Sequence, residues 1–351
     1  MSGDHDLSAL DAELFRLLAL RSAAARRRAA EAPGARFADE AALVRLAQAA
    51  VTSGGVDADA ARALASALAR QQVPEEPAPP APAPHDARTA LVIGGAGRMG
   101  AWLARYLAAR GLAVTVADPV GAPAGFEHVA DWRDAPAASL VVVAAPLRAS
   151  NSILHALADA GTPGVIFDVG SLKSPLRSGV AALRAAGCRV TSIHPMFGPD
   201  AATLSGRHII VCDVGDTEAT AIAAGLFDDT AANVVHMSLE QHDRVIAYIL
   251  GLSHALNIAF VTAVAESGEG APRLAELSST TFEAQLGVAR RVVRENPRLY
   301  FEIQSLNDYG AEALAALSYA VEKVRSVVRA GDEEAFCRLM AQGHAFVEGR
   351  G

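Results

Sequence analysis

The chain has 351 residues, 51% of them apolar and 20% charged, and a net charge of −8. That length exceeds one ordinary core and predicts two or three domains, and the acidic balance argues against a nucleic-acid partner. No apolar run approaches the roughly 18 residues of a membrane span, and Met1-Ser2-Gly3-Asp4-His5-Asp6 lacks a signal-peptide pattern, so a cytoplasmic protein without membrane contact is expected.

The first segment reads as helical. Leu7, Leu10, Leu14, Leu17 and Leu18 recur at helical spacing up to Pro33-Gly34. A second pattern carries Leu43, Val44, Leu46 and Ala47 and ends near Ser53-Gly54-Gly55. A third runs through Ala61, Leu64, Ala65 and Leu68. Three such helices make a marginal core, so this module is expected to dock or dimerise. Arg26-Arg27-Arg28 is a short basic run that reads as a solvated helix face. Pro74 to Asp86 then holds six prolines in 13 positions, a semi-rigid extended spacer.

Beyond the spacer the texture changes. Thr89-Ala90-Leu91-Val92-Ile93 reads as a buried strand, followed by Gly95-Ala96-Gly97-Arg98-Met99-Gly100 and a helical stretch from Ala101 to Leu107. A second strand, Ala113 to Ala117, ends in Asp118, 18 residues past Gly100. Strand, glycines, helix, strand and acid in this order form the dinucleotide-binding fingerprint. The glycines let the backbone approach a pyrophosphate at a helix N-terminus, where free N–H groups favour anions. Asp118 can accept from a ribose 2′-hydroxyl and would repel a 2′-phosphate, which predicts NAD rather than NADP. Gly95, Gly97, Arg98, Met99, Gly100 and Asp118 are thus the expected cofactor residues.

Further strands are predicted at Leu140–Ala145, Val165–Val169, Arg189–Ile193 and Ile209–Cys212. The alternation predicts an α/β chain with a mostly parallel, doubly wound sheet of Rossmann type. From about Ser238 strand signals vanish and helical patterns continue. The expected division is a helical module at 1–73, a spacer at 74–87, an NAD-binding domain at 88–236 and an all-helical domain at 237–351.

Ligands of such sheets bind beyond the carboxyl ends of the strands. Three strand ends carry candidates. Pro146, after Ala144-Ala145, ends its ladder beside the cofactor. Asp168-Val169-Gly170-Ser171-Leu172-Lys173 sets the Ser171 hydroxyl and the Lys173 amine near the expected nicotinamide, although Lys173 alone reads as a solvated charge. His194 follows its strand and is fixed by Pro195, a suitable place for a general base or for a structural hydrogen bond. Cys188, Cys212 and Cys337 lack metal-ligand spacing, and no metal is expected.

Asp168–Lys173 (DVGSLK) and His194–Asp200 (HPMFGPD) resemble signature segments of the prephenate dehydrogenase family. Glu240-Gln241-His242-Asp243 with His254, Leu277-Ser278-Ser279, and Arg291 followed by Pro297 and Leu299-Tyr300 are similar to further family segments. The resemblance covers Arg88 to about Gly351. It implies an NAD-dependent oxidative decarboxylation of prephenate to 4-hydroxyphenylpyruvate in tyrosine synthesis. His194 is then the catalytic base and Arg291 the cation for a substrate carboxylate, with His254, Ser171 and Lys173 lining the substrate. Ser278 and Ser279 could equally cap a helix. A small-molecule substrate and a homodimer formed through the C-terminal helices are also implied. Arogenate and 4-amino-4-deoxyprephenate are alternative substrates, and a catalytically dead nucleotide-sensing regulator is a further alternative. Many relatives carry a Ser where this chain has Ala144-Ala145, which leaves open what orients His194.

Residues 6–72 resemble a worn chorismate mutase helix module. Arg21 matches a mid-helix arginine of that family. The lysine position falls near Ala32, and the second-helix arginine position falls at Asp39-Glu40-Ala41, which is acidic or apolar. The rearrangement of chorismate needs several cations around a dianion. Loss of mutase activity is therefore expected.

Overall fold

The computed structural model describes residues 7–31, 36–70, 88–201 and 203–349, so the proline spacer and Pro33-Gly34 lie outside the described residues. The chain divides into two compact units, 1–239 and 240–351.

The first unit opens with α1 (Leu7–Glu31), α2 (Arg36–Thr52) and α3 (Ala58–Arg70). The core they share is thin. α3 buries Ala61, Ala65, Leu68 and Ala69, whereas Leu7, Leu10, Leu14 and Leu17 of α1 stay exposed. Charged side chains here are tied to neighbours. Arg21 donates to the Leu68 carbonyl at 3.1 Å, and burial lowers its pKa. Arg28 pairs with Asp39 at 2.7 Å.

An eight-stranded sheet follows, built from β1 (Thr89–Ile93), β2 (Ala113–Ala117), β3 (Glu127–Val129), β4 (Leu140–Val143), β5 (Val165–Asp168), β6 (Arg189–Pro195), β7 (His208–Asp213) and β8 (Asn233–Ser238). Their order is β3-β2-β1-β4-β5-β6-β7-β8, and every described pair is parallel except β6 with β7. β4 and β5 are buried along their whole length, and β1 along all but Thr89, because helices cover both faces of such a sheet. β3 and β8 were not legible as strands. β3 has only three residues, and β8 mixes Asn233, His236 and Ser238 into a half-exposed edge. The parallel crossovers run through α4 (Arg98–Ala109), α5 (Leu147–Asp159), α6 (Arg177–Ala185) and α7 (Thr217–Gly225). β1 lies between β2 and β4, so the chain reverses its winding there and opens a crevice beyond the carboxyl ends.

The second unit is helical. α8 (Leu239–Ile246) continues through a π-helical turn, Ala247–Leu252, into α9 (Ser253–Glu266). This 28-residue helix is long and apolar enough to cross a membrane by length and composition, with a mean hydropathy of 1.8 and 28% of its apolar window buried. A search for uninterrupted apolar runs misses it, because Gly251, Ser253, His254 and Asn257 punctuate the stretch. The unit continues with α10 (Ala271–Glu276), α11 (Thr280–Val293), α12 (Pro297–Ser305), α13 (Gly310–Ala330) and α14 (Glu333–Glu348). Ser279 caps α11 by accepting from the Phe282 amide at 3.2 Å. Asn296 caps α12 by accepting from Arg298, with Pro297 at the first helical position.

Candidate active site

The turn from β1 into α4 is shaped by contacts that only glycine permits. Gly94 has φ of 85°, and a Cβ there would lie 2.7 Å from the Ala145 amide nitrogen. A Cβ on Gly100 would sit 2.2 Å from the Gly94 carbonyl, so this glycine allows α4 to pack on the turn. A Cβ on Gly97, the exposed N-cap of α4, would meet only the Gly94 carbonyl, at 3.2 Å. No side chain caps α4. Its first turn therefore keeps the geometry that receives a phosphate. Arg98 is exposed and Met99 packs on the core at the start of the same helix.

Asp118 stands at the end of β2, 9% exposed. Its Oδ2 accepts from the Ala96 amide at 3.1 Å and its Oδ1 from Val120 at 2.9 Å. The fold thus joins Asp118 directly to the fingerprint turn, 22 residues away in sequence. The arrangement fits a dinucleotide: an open glycine turn at a helix start, and an acid beside it. Pro146 is exposed at the N-cap of α5, on the carboxyl end of β4.

His194 lies at the carboxyl end of β6, 4% exposed and paired across the ladder with Ile210. The backbone before it is held by a buried polar cluster. Lys173 is 0% exposed, and its Nζ donates to Asp168 Oδ1 at 2.7 Å and to the Ile193 carbonyl at 2.8 Å. The Ser192 hydroxyl donates to Asp168 Oδ2, and the Gly170 amide donates to Asp168 Oδ1 at 2.9 Å. This corrects the reading of Lys173 as a solvated charge. Its ammonium is enclosed behind the strand end and grips the residue that precedes His194. Ser171 is half-buried, as are Val169 and Gly170 before it. Asp168 and Ser192 were not singled out from sequence. One signal was available: only Lys173 and Lys323 are lysines in a chain otherwise supplied with arginine. A compact ammonium with three donors suits a pocket that a planar guanidinium does not.

In the second unit, His242 and Asp243 are fully buried and bonded to each other at 2.7 Å, and Asn307 donates to the Asp243 carbonyl at 2.9 Å. That pair belongs to the interior. His254 differs. Its ring stacks on Tyr300 at 4.1 Å, burial lowers its pKa to about 4, and its buried Nδ1 makes no hydrogen bond among the described residues. It follows directly on the π-helical turn, whose Gly251 carbonyl accepts from Gln304 at 2.9 Å. π-turns inside helices are frequent at functional sites. Asn257, one turn on, accepts from Gln285 of α11 at 2.9 Å and so ties α9 to the helix that carries Arg291. Arg291 is exposed in the last turn of α11.

A doubly wound sheet with a fingerprint turn, an acid at the second strand, a strand-end imidazole and a following helical unit defines a dinucleotide-binding oxidoreductase fold. Residues 115–236 match the family model described as prephenate dehydrogenase, nucleotide-binding domain, and residues 238–342 match prephenate dehydrogenase, dimerization domain. The chain belongs to the prephenate dehydrogenase family. A 4-amino-4-deoxyprephenate dehydrogenase of Streptomyces pristinaespiralis is 31% identical over 264 residues, spanning 72% of this chain and 88% of that protein. The T-protein of Enterobacter agglomerans is 24% identical over 250 residues, 71% of this chain and 65% of its own length. A crystal structure of A. aeolicus prephenate dehydrogenase with hydroxyphenyl propionate and NAD+ shares the fold, with a TM-score of 0.61 at 19% identity over 74% of this chain and 98% of that one. Synechocystis arogenate dehydrogenase does so with a TM-score of 0.58 at 18% identity, over 75% and 100%.

Proposed function

We propose that this protein oxidatively decarboxylates prephenate, with NAD+ as the hydride acceptor and a homodimer as the working form. The observation that carries the reading is His194 at the carboxyl end of β6, on a backbone held by the Asp168–Lys173–Ser192 cluster. Prephenate bears a hydroxyl and a hydrogen on C4, and a carboxylate on the opposite ring carbon. NAD+, held by the fingerprint turn, would supply the acceptor for the hydride lost from C4, while His194 takes the hydroxyl proton so that C4 can become a ketone. The ring-carboxylate bond then breaks, CO₂ leaves, and its electrons aromatise the ring and return to the C4 oxygen, which regains a proton. Aromatisation drives this second stage, so the protein's work is orientation, one base and anion recognition.

In this reading Gly95, Gly97, Arg98, Met99, Gly100, Asp118 and Pro146 hold the cofactor. Arg291 binds a substrate carboxylate, for which a guanidinium fork is suited. His254 lends a neutral ring, since burial keeps its pKa well below neutrality, and its Nδ1, without a hydrogen bond among the described residues, can meet a polar group of the substrate. Ser171, half-buried after β5, is assigned to the substrate as well. Lys173 acts through β6. The exposed apolar positions of the helix Leu239–Glu266, among them Tyr248, Ile249 and Leu256, are assigned to the second copy. The N-terminal module does not rearrange chorismate, because Arg21 is bonded to Leu68 and the positions where cations are needed hold Asp39 and Glu40.

A second reading, 4-amino-4-deoxyprephenate as substrate, is favoured by the 31% identity to a protein of that name across 88% of its length. Steady-state turnover of the purified chain with prephenate, arogenate and 4-amino-4-deoxyprephenate decides between them. The highest kcat/KM is expected with prephenate. Preference for the amine would establish the second reading, and no turnover of any of the three would refute both.

A further inference from the structure

Glu40 of α2 is an acid in the core of the first unit, 3% exposed. Its Oε2 accepts from the Leu204 amide at 2.9 Å and its Oε1 from the Ser205 amide at 2.6 Å, across more than 160 residues of sequence. A buried carboxylate is costly unless hydrogen-bonded. Two successive backbone N–H groups aimed at one carboxylate supply charge-assisted bonds and a small anion-holding hollow.

Those two amides belong to the connection that leaves β6 just after His194-Pro195 and returns as β7. Its two ends meet in the Met196–His208 bond of 2.9 Å, beside the His194–Ile210 pair of the antiparallel ladder. The same connection is held by α4, the fingerprint helix. The Trp102 indole donates to the Ala201 carbonyl at 3.1 Å and packs edge-on against Phe197 at 5.1 Å. Leu204 itself is fully enclosed in the apolar core of the sheet. One part of the connection is therefore tied to the nucleotide helix, and another to the N-terminal module.

We propose that Glu40 is a positioning residue for the dehydrogenase site, and that the N-terminal module braces in cis the 196–207 connection and through it the end of β6 that carries His194. This rests on the reading of His194 as the catalytic base. Without the carboxylate, the buried Leu204 amide and the part-buried Ser205 amide would lose this partner, and the connection would open to hydrate them. The charge that a chorismate pocket would exclude is the one these amides require.

The test uses the full chain with Glu40→Ala and with Glu40→Gln, which keeps one acceptor oxygen. Hydrogen exchange of peptides covering residues 196–207 is followed together with kcat, substrate KM and NAD+ affinity. In Glu40→Ala, exchange at Leu204 and Ser205 should rise about tenfold or more relative to wild type, with Glu40→Gln in between. Per-site kcat should fall about fivefold or more while NAD+ affinity stays near wild type, since only the β6 end is released. Unchanged exchange in both variants would overturn the brace. Faster exchange with unchanged kcat would overturn the positioning role, leaving a structural tie. Should Glu40→Ala fail to fold, Glu40→Gln carries both measurements. If the wild type turns over none of the three substrates, the reading of His194 fails, and the exchange data still decide the brace.

Discussion

Two buried polar clusters of this protein follow opposite rules. Around Asp168, the first unit encloses an ammonium, a carboxylate and a hydroxyl, and these are bonded to one another and to the Ile193 carbonyl. Around His254, the second unit holds a half-buried imidazole against Tyr300 and leaves its buried Nδ1 without a hydrogen bond among the described residues. Buried polar atoms are almost always paired. A satisfied cluster therefore reads as scaffold, and the unsatisfied atom beside a π-turn is the one we propose for the substrate. The same chemistry, burial of nitrogen, divides into support and recognition according to whether the protein itself completes the bonds.

The largest test of that contrast lies at the residue the scaffold presents. His194→Asn should lower kcat roughly 10²–10⁴-fold with little change in substrate KM, the range for a lost general base. Near-normal turnover would break the reading of the whole strand end. Next comes the scaffold. Lys173→Met leaves the Asp168 carboxylate buried without its cation and should destabilise the first unit by about 3–5 kcal/mol in denaturant titrations. Removing both charges in Asp168→Leu/Lys173→Met should recover most of that loss, since an apolar replacement of a buried pair is often close to neutral. A stable single variant would show that the pair is not structural.

A smaller effect is expected at the fingerprint. With Asp118 beside the turn, kcat/KM should be at least about tenfold higher with NAD+ than with NADP+, equivalent to about 1.4 kcal/mol. Equal efficiencies would separate Asp118 from ribose recognition. The smallest effect concerns stability at the unsatisfied histidine. The pKa of His254 is lowered to about 4 in the folded chain from an ordinary value of 6.5. Between those values the unfolded state binds the extra proton, so this contribution is fully present above the ordinary value and is lost as pH falls toward the folded one. His254→Phe keeps the stack on Tyr300 and should flatten the acid side of the unfolding profile. It should also raise substrate KM while leaving stability at neutral pH near that of the wild type. An unchanged KM would move His254 to the scaffold class.

Sequence alone carried the parts of this protein whose causes are local. Gly95, Gly97 and Gly100 are spaced for one tight turn, and the apolar runs of β1, β4 and β5 are continuous because parallel strands are buried on both faces. The fold class follows from such runs, and the family motifs follow from short contiguous segments such as His194–Asp200. Gly94 escaped notice because its positive φ and its approach to Ala145 depend on where β4 lies. β3 and β8 escaped because short edge strands carry too few apolar residues to give a period.

The fate of each charge was decided elsewhere. An amine at position 173 is identical in sequence whether it meets water or the Ile193 carbonyl, and only the β5–β6 pairing encloses it. Glu40 likewise looks like a solvated helix acid until the chain brings Leu204 and Ser205 to it. His242 and His254 sit on one helix in similar surroundings of sequence, yet one is bonded to Asp243 and the other has a ring nitrogen without a partner among the described residues. Periodicity and turn chemistry act over a few residues and can be read directly. Desolvation and hydrogen-bond completion depend on atoms brought together from distant positions, and so they were settled only by the tertiary structure.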